Sequence, residues 1–480
     1  MAVAQQGKIK SKLPRAIPYI IGNEAAERFS FYGMQSILSV FLVTHFYNPA
    51  ANPALVTESE ARANELVHLF ASLAYFTPLI GGIMADWFFG KYKVILTVSI
   101  VYTFGHLVLA MFSENLNMFT VGLVIVACCA GAVKSCVSAN VGDQFDKSNE
   151  HLLSKIYGWF YFTINTGSLL ATYIIPIIYR DYGPEWAFGV PGILMFIATV
   201  VFWLGRKKYV KVPPTGIKRQ NFVTISAFAI QKAFSRKPGQ KVWDAVAEKF
   251  TPQSIDGTKA VYRVLKVFAF TPIFWALWYQ CLSEWVLQAT KLDLTLFGDT
   301  KLEASQVSFV NPLFLVTMIP VFTYGIYPFF KKIGINPTPL RKIGAGLVVV
   351  GIGYSIVAML ESRLESGDQP SIWWQILAYW MLSASEILVS ITCLEYAYTQ
   401  SPPSMKSTMS ALYLLGISLG NYFVSLVNGN IANKGFFSQF TGSAYYWLFV
   451  KILAAFIILY LLVSKSIKEK SYVLSESEPG

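Results

Sequence analysis

"GNEAAERFSFYG", residues Gly22–Gly33, carries Glu24, Glu27 and Arg28 in the middle of an apolar run. Its flanks, "LPRAIPYII" and "MQSILSVFLV", extend that run past the about 20 residues a helix needs to cross a bilayer, so the three charges lie where lipid would surround them. A charge at such a depth costs about 2.5–3.5 kcal/mol on insertion scales and is kept only with a partner or a task. Glu24 and Glu27 are three residues apart and Glu24 and Arg28 four, which puts all three side chains on one helix face. That face must look inward. One Glu–Arg pair would neutralise itself and merely staple helices; two acids with one base leave a carboxylate over, able to take a proton or await a second cation.

The rest of the chain belongs to the same solvent. Of its 480 residues 54% are hydrophobic and only 14% charged, with a mean hydropathy of +0.47, too apolar for a soluble enzyme of this length. The net charge of +12 does not point to nucleic acid, because the basic residues cluster between apolar runs as they do in cytoplasmic loops of membrane proteins. Cys128, Cys129, Cys136, Cys281 and Cys393 all fall inside apolar segments, which argues against a disulfide framework or a metal cluster. No metal and no cofactor is expected. The basic "MAVAQQGKIKSKLPR" leads into a charged span without a small-residue cleavage site, so a removable signal peptide is not expected.

Apolar stretches of spanning length fall near 16–44, 63–88, 93–112, 117–141, 153–178 and 187–205, and, after a polar interval, near 266–290, 305–330, 340–361, 371–400, 406–432 and 443–464. The expected fold is therefore an all-α membrane protein with twelve transmembrane helices in two six-helix bundles, residues 1–205 and 266–480, joined by a cytoplasmic linker over 206–265. Lys8, Lys10, Lys12, Arg15, Lys91, Lys93, Lys331, Lys332, Arg341, Lys342, Lys465, Lys468 and Lys470 occupy connections of one parity, whereas "NPAANPALVTESE" and "ESRLESGDQPS" on the other are mostly acidic or neutral. Both termini are thus expected in the cytoplasm. Within the linker, "FVTISAFAIQKAF" has helical apolar spacing over too short a run to span; it reads equally as a helix lying along the membrane or as a flexible connection. Two sixes imply a substrate path between them at the midplane. "GGIMADWFFGKYK" resembles the loop signature of the major facilitator superfamily, matched by Gly82, Asp86, Gly90, Lys91 and Lys93.

Other buried charges suggest a second pole. Lys134, alone in the fourth span, is the cation available to the surplus carboxylate. His68, at the start of the second span, can titrate near neutral pH or remain a neutral, hydrogen-bonded histidine. Glu395 lies in the tenth span with no basic residue near it in sequence, so its partner is expected to be the substrate, and Glu386 reads as a structural acid of the same half. A ligand bridging Arg28 and Lys134 to Glu395 would be a zwitterion. Tyr32, Tyr75, Tyr161, Trp275 and Trp278 are candidates to line a tolerant pocket, or else pack and form belts.

These residues resemble a known family. "NEAAERFSFYG" matches the E-x-x-E-R-F-x-[FY]-[YF]-G motif of the proton-dependent oligopeptide transporters within the major facilitator superfamily, and "FYFTINTGSL", Phe160–Leu169, is similar to that family's fifth-helix signature. The likeness runs on through "GAVKSCVSANVGDQF", "FWALWYQCLSEWVLQAT" and "CLEYAYTQSPPSMKS", and the short central interval resembles the twelve-helix members. The resemblance implies that Arg28 and Lys134 receive a peptide carboxylate. Asn165, Asn311 and Glu395 would receive the amino terminus, Tyr32 and Tyr75 would contact the backbone or side chains, and Glu24 and Glu27 would be proton-linked. His68 falls where some members have a functional histidine.

The chain departs from the family at two positions. Gln35 stands where many members have a second arginine in the first helix, and Tyr279 where they have an acid in the seventh; the two are expected to form an uncharged hydrogen-bonded outer gate. Losing both charges strands neither. Glu284, five residues beyond Tyr279, projects from another face and is a poor substitute. The resulting expectation is a monomeric, proton-coupled symporter of di- and tripeptides in the plasma membrane, the inner membrane if bacterial, with a same-fold carrier of nitrate or another small anion as the alternative. No nucleophile–base constellation, H-E-x-x-H or phosphate-cradling glycine loop suggests an enzyme.

Overall fold

The computed structural model describes residues 13–48, 55–146, 149, 152–214, 216, 220–235, 240–402 and 405–467. The first half holds six long helices: α1 (Ile17–Phe41), α2 (Val56–Ile83), α3 (Lys91–Met111), α4 (Leu116–Gly142), α5 (Leu153–Tyr182) and α6 (Pro184–Leu204). The connection carries α7 (Phe222–Ser235), α8 (Val242–Ala247) and α9 (Pro252–Phe268). The second half continues with α10 (Thr271–Trp278), α11 (Glu284–Ala289), a hairpin of β1 (Thr295–Phe297) and β2 (Thr300–Lys301), α12 (Val310–Val321), α13 (Tyr327–Lys332), α14 (Pro339–Glu365), α15 (Trp373–Glu386), α16 (Thr392–Thr399), α17 (Lys406–Ala432) and α18 (Ser443–Ser464). Among the described residues eleven helical segments are long and apolar enough to cross a membrane, and a twelfth is a pair bent by 44°, Pro252–Phe268 with Thr271–Ala289. The described residues form an all-α, multi-pass membrane protein.

The bent pair corrects the seventh stretch expected at 266–290. Helix α9 begins with Thr251 capping Ser254 and proline at its start, and it runs through the domain boundary expected at 265. Its buried residues, including Ile255, Val261, Val264 and Phe268, recur at helical spacing among polar ones, so a hydropathy window does not register it. The chain turns at Ala269 and Phe270, and Pro272 restarts it as α10. A tight turn over Tyr279–Leu282 then leads into α11.

Small residues set the closest packing. A methyl group on Gly131 of α4 would stand 2.0 Å from Thr77 Oγ1 and 2.5 Å from the Ala74 carbonyl of α2; one on Gly420 of α17 would stand 2.4 Å from the Pro272 carbonyl of α10. In the "GGIMADWFFGKYK" loop, α2 ends in a π-helical segment, Met84–Phe89, and Gly90 turns the chain at φ +79°. Lys91 then reaches both oxygens of Asp143 at 2.8 and 2.9 Å, clamping the start of α3 to the end of α4. Between the halves, α2 lies along α17, α1 meets α11, and α5 packs against α12 and the turn before it.

Candidate functional site

Helix α1 brings Glu24, Glu27 and Arg28 to the interior of the first half, where all three are buried. Arg28 Nε donates to Glu24 Oε1 at 2.8 Å, and its Nη2 is ion-paired with Glu27 Oε2 at 2.8 Å without hydrogen-bond alignment, so one guanidinium faces both carboxylates. Lys134 was expected to answer the surplus acid. Its Nζ instead sits 4.1 Å from the centre of the Tyr75 ring and 4.6 Å from that of Phe31, with Tyr75, Arg28 and Glu27 as its electrostatic neighbours. The first half therefore presents two adjacent cations, one saturated by acids and one resting on aromatic faces.

The acid facing them from the second half is Glu386, not Glu395. Glu386 ends α15, is half-buried, and accepts on Oε2 from Trp278 Nε1 at 2.9 Å and Asn311 Nδ2 at 3.1 Å. Its other oxygen has no hydrogen-bond donor among the described residues. Asn311 also donates to Ser383 Oγ at 3.0 Å. Glu395 is corrected: its side chain is 51% exposed and ion-paired to Lys342 Nζ at 2.9 Å. The two acids are nine residues apart, about two and a half turns of regular helix, so they leave opposite faces, and the π-helical turn Ile387–Ile391 intervenes.

Aromatic side chains bridge the poles. Tyr32 has Tyr75, Arg28 and Glu386 as electrostatic neighbours, and Tyr161, 47% exposed, faces Glu386 from α5. Asn165, one turn along α5, donates its amide to the Tyr161 carbonyl at 2.8 Å. Trp275 packs near Trp278 and Tyr279, and its indole N–H has no hydrogen-bond partner among the described residues. The expected Gln35–Tyr279 gate is also corrected. Tyr279 stacks edge-on to Tyr75, ring centres 5.5 Å apart, and bonds to its hydroxyl, whereas both polar atoms of the fully buried Gln35 amide lack a partner among the described residues. Trp275 and Trp278 pack against the Tyr279 ring, with ring centres 5.9 and 4.9 Å away.

His68 ties the halves together. Its Nδ1 lies 2.8 Å from Asn421 Oδ1 on α17 and its Nε2 2.8 Å from Ser283 Oγ, just before α11. Asn421 Nδ2 donates to the Ile417 carbonyl, so Oδ1 is the acceptor and Nδ1 carries a proton. Nε2 then accepts from Ser283 in the neutral ring, and a hydroxyl rotation lets it donate in the charged one. The seam is further closed by Ser418 Oγ to the Ser72 carbonyl at 2.8 Å, Ser425 Oγ to the Glu65 carbonyl at 3.0 Å, Asn64 to Glu284, Arg180 to Glu303 at 2.9 Å, and Lys291 to Glu60 at 2.9 Å. Burial pulls Lys291 down, but the carboxylates of Glu60 and Glu361 outweigh it and hold the ammonium above its ordinary value. A cavity of about 270 Å³ is lined by Glu60, Glu284, Gln288, Lys291 and Glu361 among others. Toward the other end Trp159, Tyr161 and Tyr398 are exposed.

Sequence reading missed the central place of Glu386 and the cross-seam reach of Glu284. The small, polar "SAS" run that leads into Glu386 is a signal of an inward-facing stretch; nothing local marks Glu284, whose partner lies 220 residues away.

Residues 92–448 match the model of the POT family. The chain is 34% identical over 403 residues to solute carrier family 15 member 2 of Oryctolagus cuniculus, covering 80% of this chain and 54% of that one. It is 36% identical over 372 residues to peptide transporter 3 of Caenorhabditis elegans, covering 73% and 51%. The chain thus spans about half the length of the curated relatives it matches. Among solved structures, the POT family transporter PepTSo superposes with a TM-score of 0.88 at 33% identity, covering 95% of this chain and 99% of that one. An auto-inhibited POT family peptide transporter gives the same score and identity over 97% and 99%.

Proposed function

The chain belongs to the POT family, and on that premise we propose that it imports di- and tripeptides together with protons by alternating access. The observation that carries this reading is the opposition of charges: Arg28 and Lys134 on α1 and α4, Glu386 on α15, with Tyr32 between them. Fixed poles of opposite sign select the two charged ends of a short peptide and leave its middle permissive. Arg28 and Lys134 take the carboxylate, while Glu386, Asn311 and Asn165 take the amino terminus; Glu386 replaces Glu395 in that role. The indole N–H of Trp275, without a partner among the described residues, and the hydroxyls of Tyr32 and Tyr75, which would exchange their mutual and Tyr279 hydrogen bonds, serve the peptide backbone.

Coupling follows from the shared guanidinium. With Glu24 and Glu27 both ionised, Arg28 is occupied on two sides. A proton on either acid frees one side for the peptide carboxylate, so proton and peptide bind together. Each positive charge moving inward gains about 2.3 kcal/mol per 100 mV of membrane potential, enough to drive accumulation. With both termini in the cytoplasm, the seam closed by His68, Asn64 and Lys291 is the outer one, and the protein stands open inward.

The halves divide at a linker beginning near 206, and the protein works as a monomer in the plasma membrane, moving its cargo without chemical change. A carrier of nitrate or another small anion would leave Glu386 and Asn311 without a ligand. The test is uptake of a labelled dialanine-type peptide into liposomes under an imposed pH gradient, with an uncoupler control. Uptake that survives the uncoupler, or that nitrate competes away, would overturn the reading.

A further inference from the structure

Helix α7 is apolar on two faces. Ile225 and Ala229 are buried in a cluster with Val246, Phe250 and Ile255 of the following segments, which fixes how the helix sits. On the opposite face Val223, Ile230 and Phe234 are 71%, 59% and 90% exposed. They lie seven and four residues apart, a single stripe along the helix. Three large apolar side chains aligned in water call for something to cover them.

The setting says what covers them. The segment is tied at one end to the span Pro184–Lys207 and at the other, through α9, to the bent pair that forms the next crossing, so α7 stays at one membrane face. The level of the interface at that face is marked by Arg206 over the Trp203 ring at 3.9 Å and Lys211 over the Tyr92 ring at 4.2 Å. Residues 206–266 carry 14 Lys and Arg against 3 acids. Lys232 and Lys249 lie over the Phe228 ring at 5.5 and 4.7 Å, beside the helix rather than on the exposed stripe. An apolar stripe flanked by cations suits an anionic lipid surface better than a soluble protein.

We infer that α7 lies in the plane of the leaflet on the side where the sixth and seventh crossings are joined, with Val223, Ile230 and Phe234 among the acyl chains and the flanking lysines at anionic headgroups. The placement is independent of the transport reading. It is tested by putting the photo-crosslinker benzoylphenylalanine, one position at a time, at Ile230, Phe234, Thr224 and Gln231 of the full chain in vesicles of mixed zwitterionic and anionic phospholipid. The mass of each adduct is then read. Phospholipid adducts at 230 and 234 about fivefold above those at 224 and 231, enriched in the anionic lipid, are expected. Equal yields at the four positions, or covalent protein dimers in place of lipid adducts, would overturn the placement. Adducts drawn in proportion to the bulk lipid would overturn its electrostatic part.

Discussion

Glu27 and Arg28 are neighbours in the chain and partners in space: Oε2 of the acid lies 2.8 Å from Nη2 of the base, while Nε of the same base holds Glu24. Because the guanidinium serves two acids, the three residues respond differently to substitution.

Glu24→Gln or Glu27→Gln leaves Arg28 one ionised partner at all times and removes the exchange of proton for peptide. Uphill uptake under a pH gradient is expected to fall at least about tenfold, equivalent to 1.4 kcal/mol, while exchange of labelled for unlabelled peptide persists. Liposome flux measurements check both; accumulation retained by both variants would break the link.

Arg28→Ala strands both acids in a buried site. Breaking such a pair costs about 3–5 kcal/mol, so this variant should unfold in detergent at a clearly lower temperature than either glutamine variant. Equal melting temperatures across the three would contradict the shared-base geometry.

Glu386→Gln and Glu395→Gln separate the inward acid from the paired, exposed one. Dipeptide affinity is expected to weaken about tenfold to a hundredfold in the first, equivalent to about 1.4–2.8 kcal/mol. Loss of a solvent-exposed ion pair is worth about 0–1 kcal/mol, so Glu395→Gln should change affinity by no more than about fivefold. Binding of an amino-acetylated dipeptide should be insensitive to Glu386→Gln, which a competition assay reads directly.

Gln35 is fully buried with no partner for its amide among the described residues. An unsatisfied buried polar group costs about 1–3 kcal/mol, so Gln35→Leu, similar in volume, is expected to raise the unfolding temperature. A lower temperature would mean that the amide has a task. Tyr279→Phe is expected to disturb the Tyr75 contact but not Gln35.

The closed seam depends on Lys291, whose ammonium Glu60 and Glu361 hold above its ordinary value of 10.5. A raised cation contributes in full below that value and is lost only as pH rises through the shifted one. Closure through Lys291 is therefore expected to stay constant from neutral pH up to about 10.5. Lys291→Ala should shift the population toward the outward-open form at neutral pH, read by distance measurements between labels across the α2–α17 seam. A strong pH dependence of closure in that range, absent from Lys291→Ala, would refute the assignment.

What the sequence by itself determined was local: spanning segments from hydropathy, the inward face of α1 from the three- and four-residue spacing of its charges, and the neutralising pair within it. Such properties depend on neighbours within a few turns, and an uncompensated charge in lipid is costly wherever the helix goes. Even so, the amphipathic α9 escaped, because its apolar residues are diluted by polar ones. Tertiary packing alone decided which acid of the tenth span turns inward, since nine residues and an irregular turn separate Glu386 from Glu395 and Lys342, from another helix, claims the latter. It also laid Lys134 on Tyr75 rather than on an acid, kept Gln35 from Tyr279, and joined Asn64 to Glu284 and His68 to Asn421. The Asn64–Glu284 and His68–Asn421 pairings join residues hundreds of positions apart, and whether they form depends on how two bundles meet, a relation no helical period encodes.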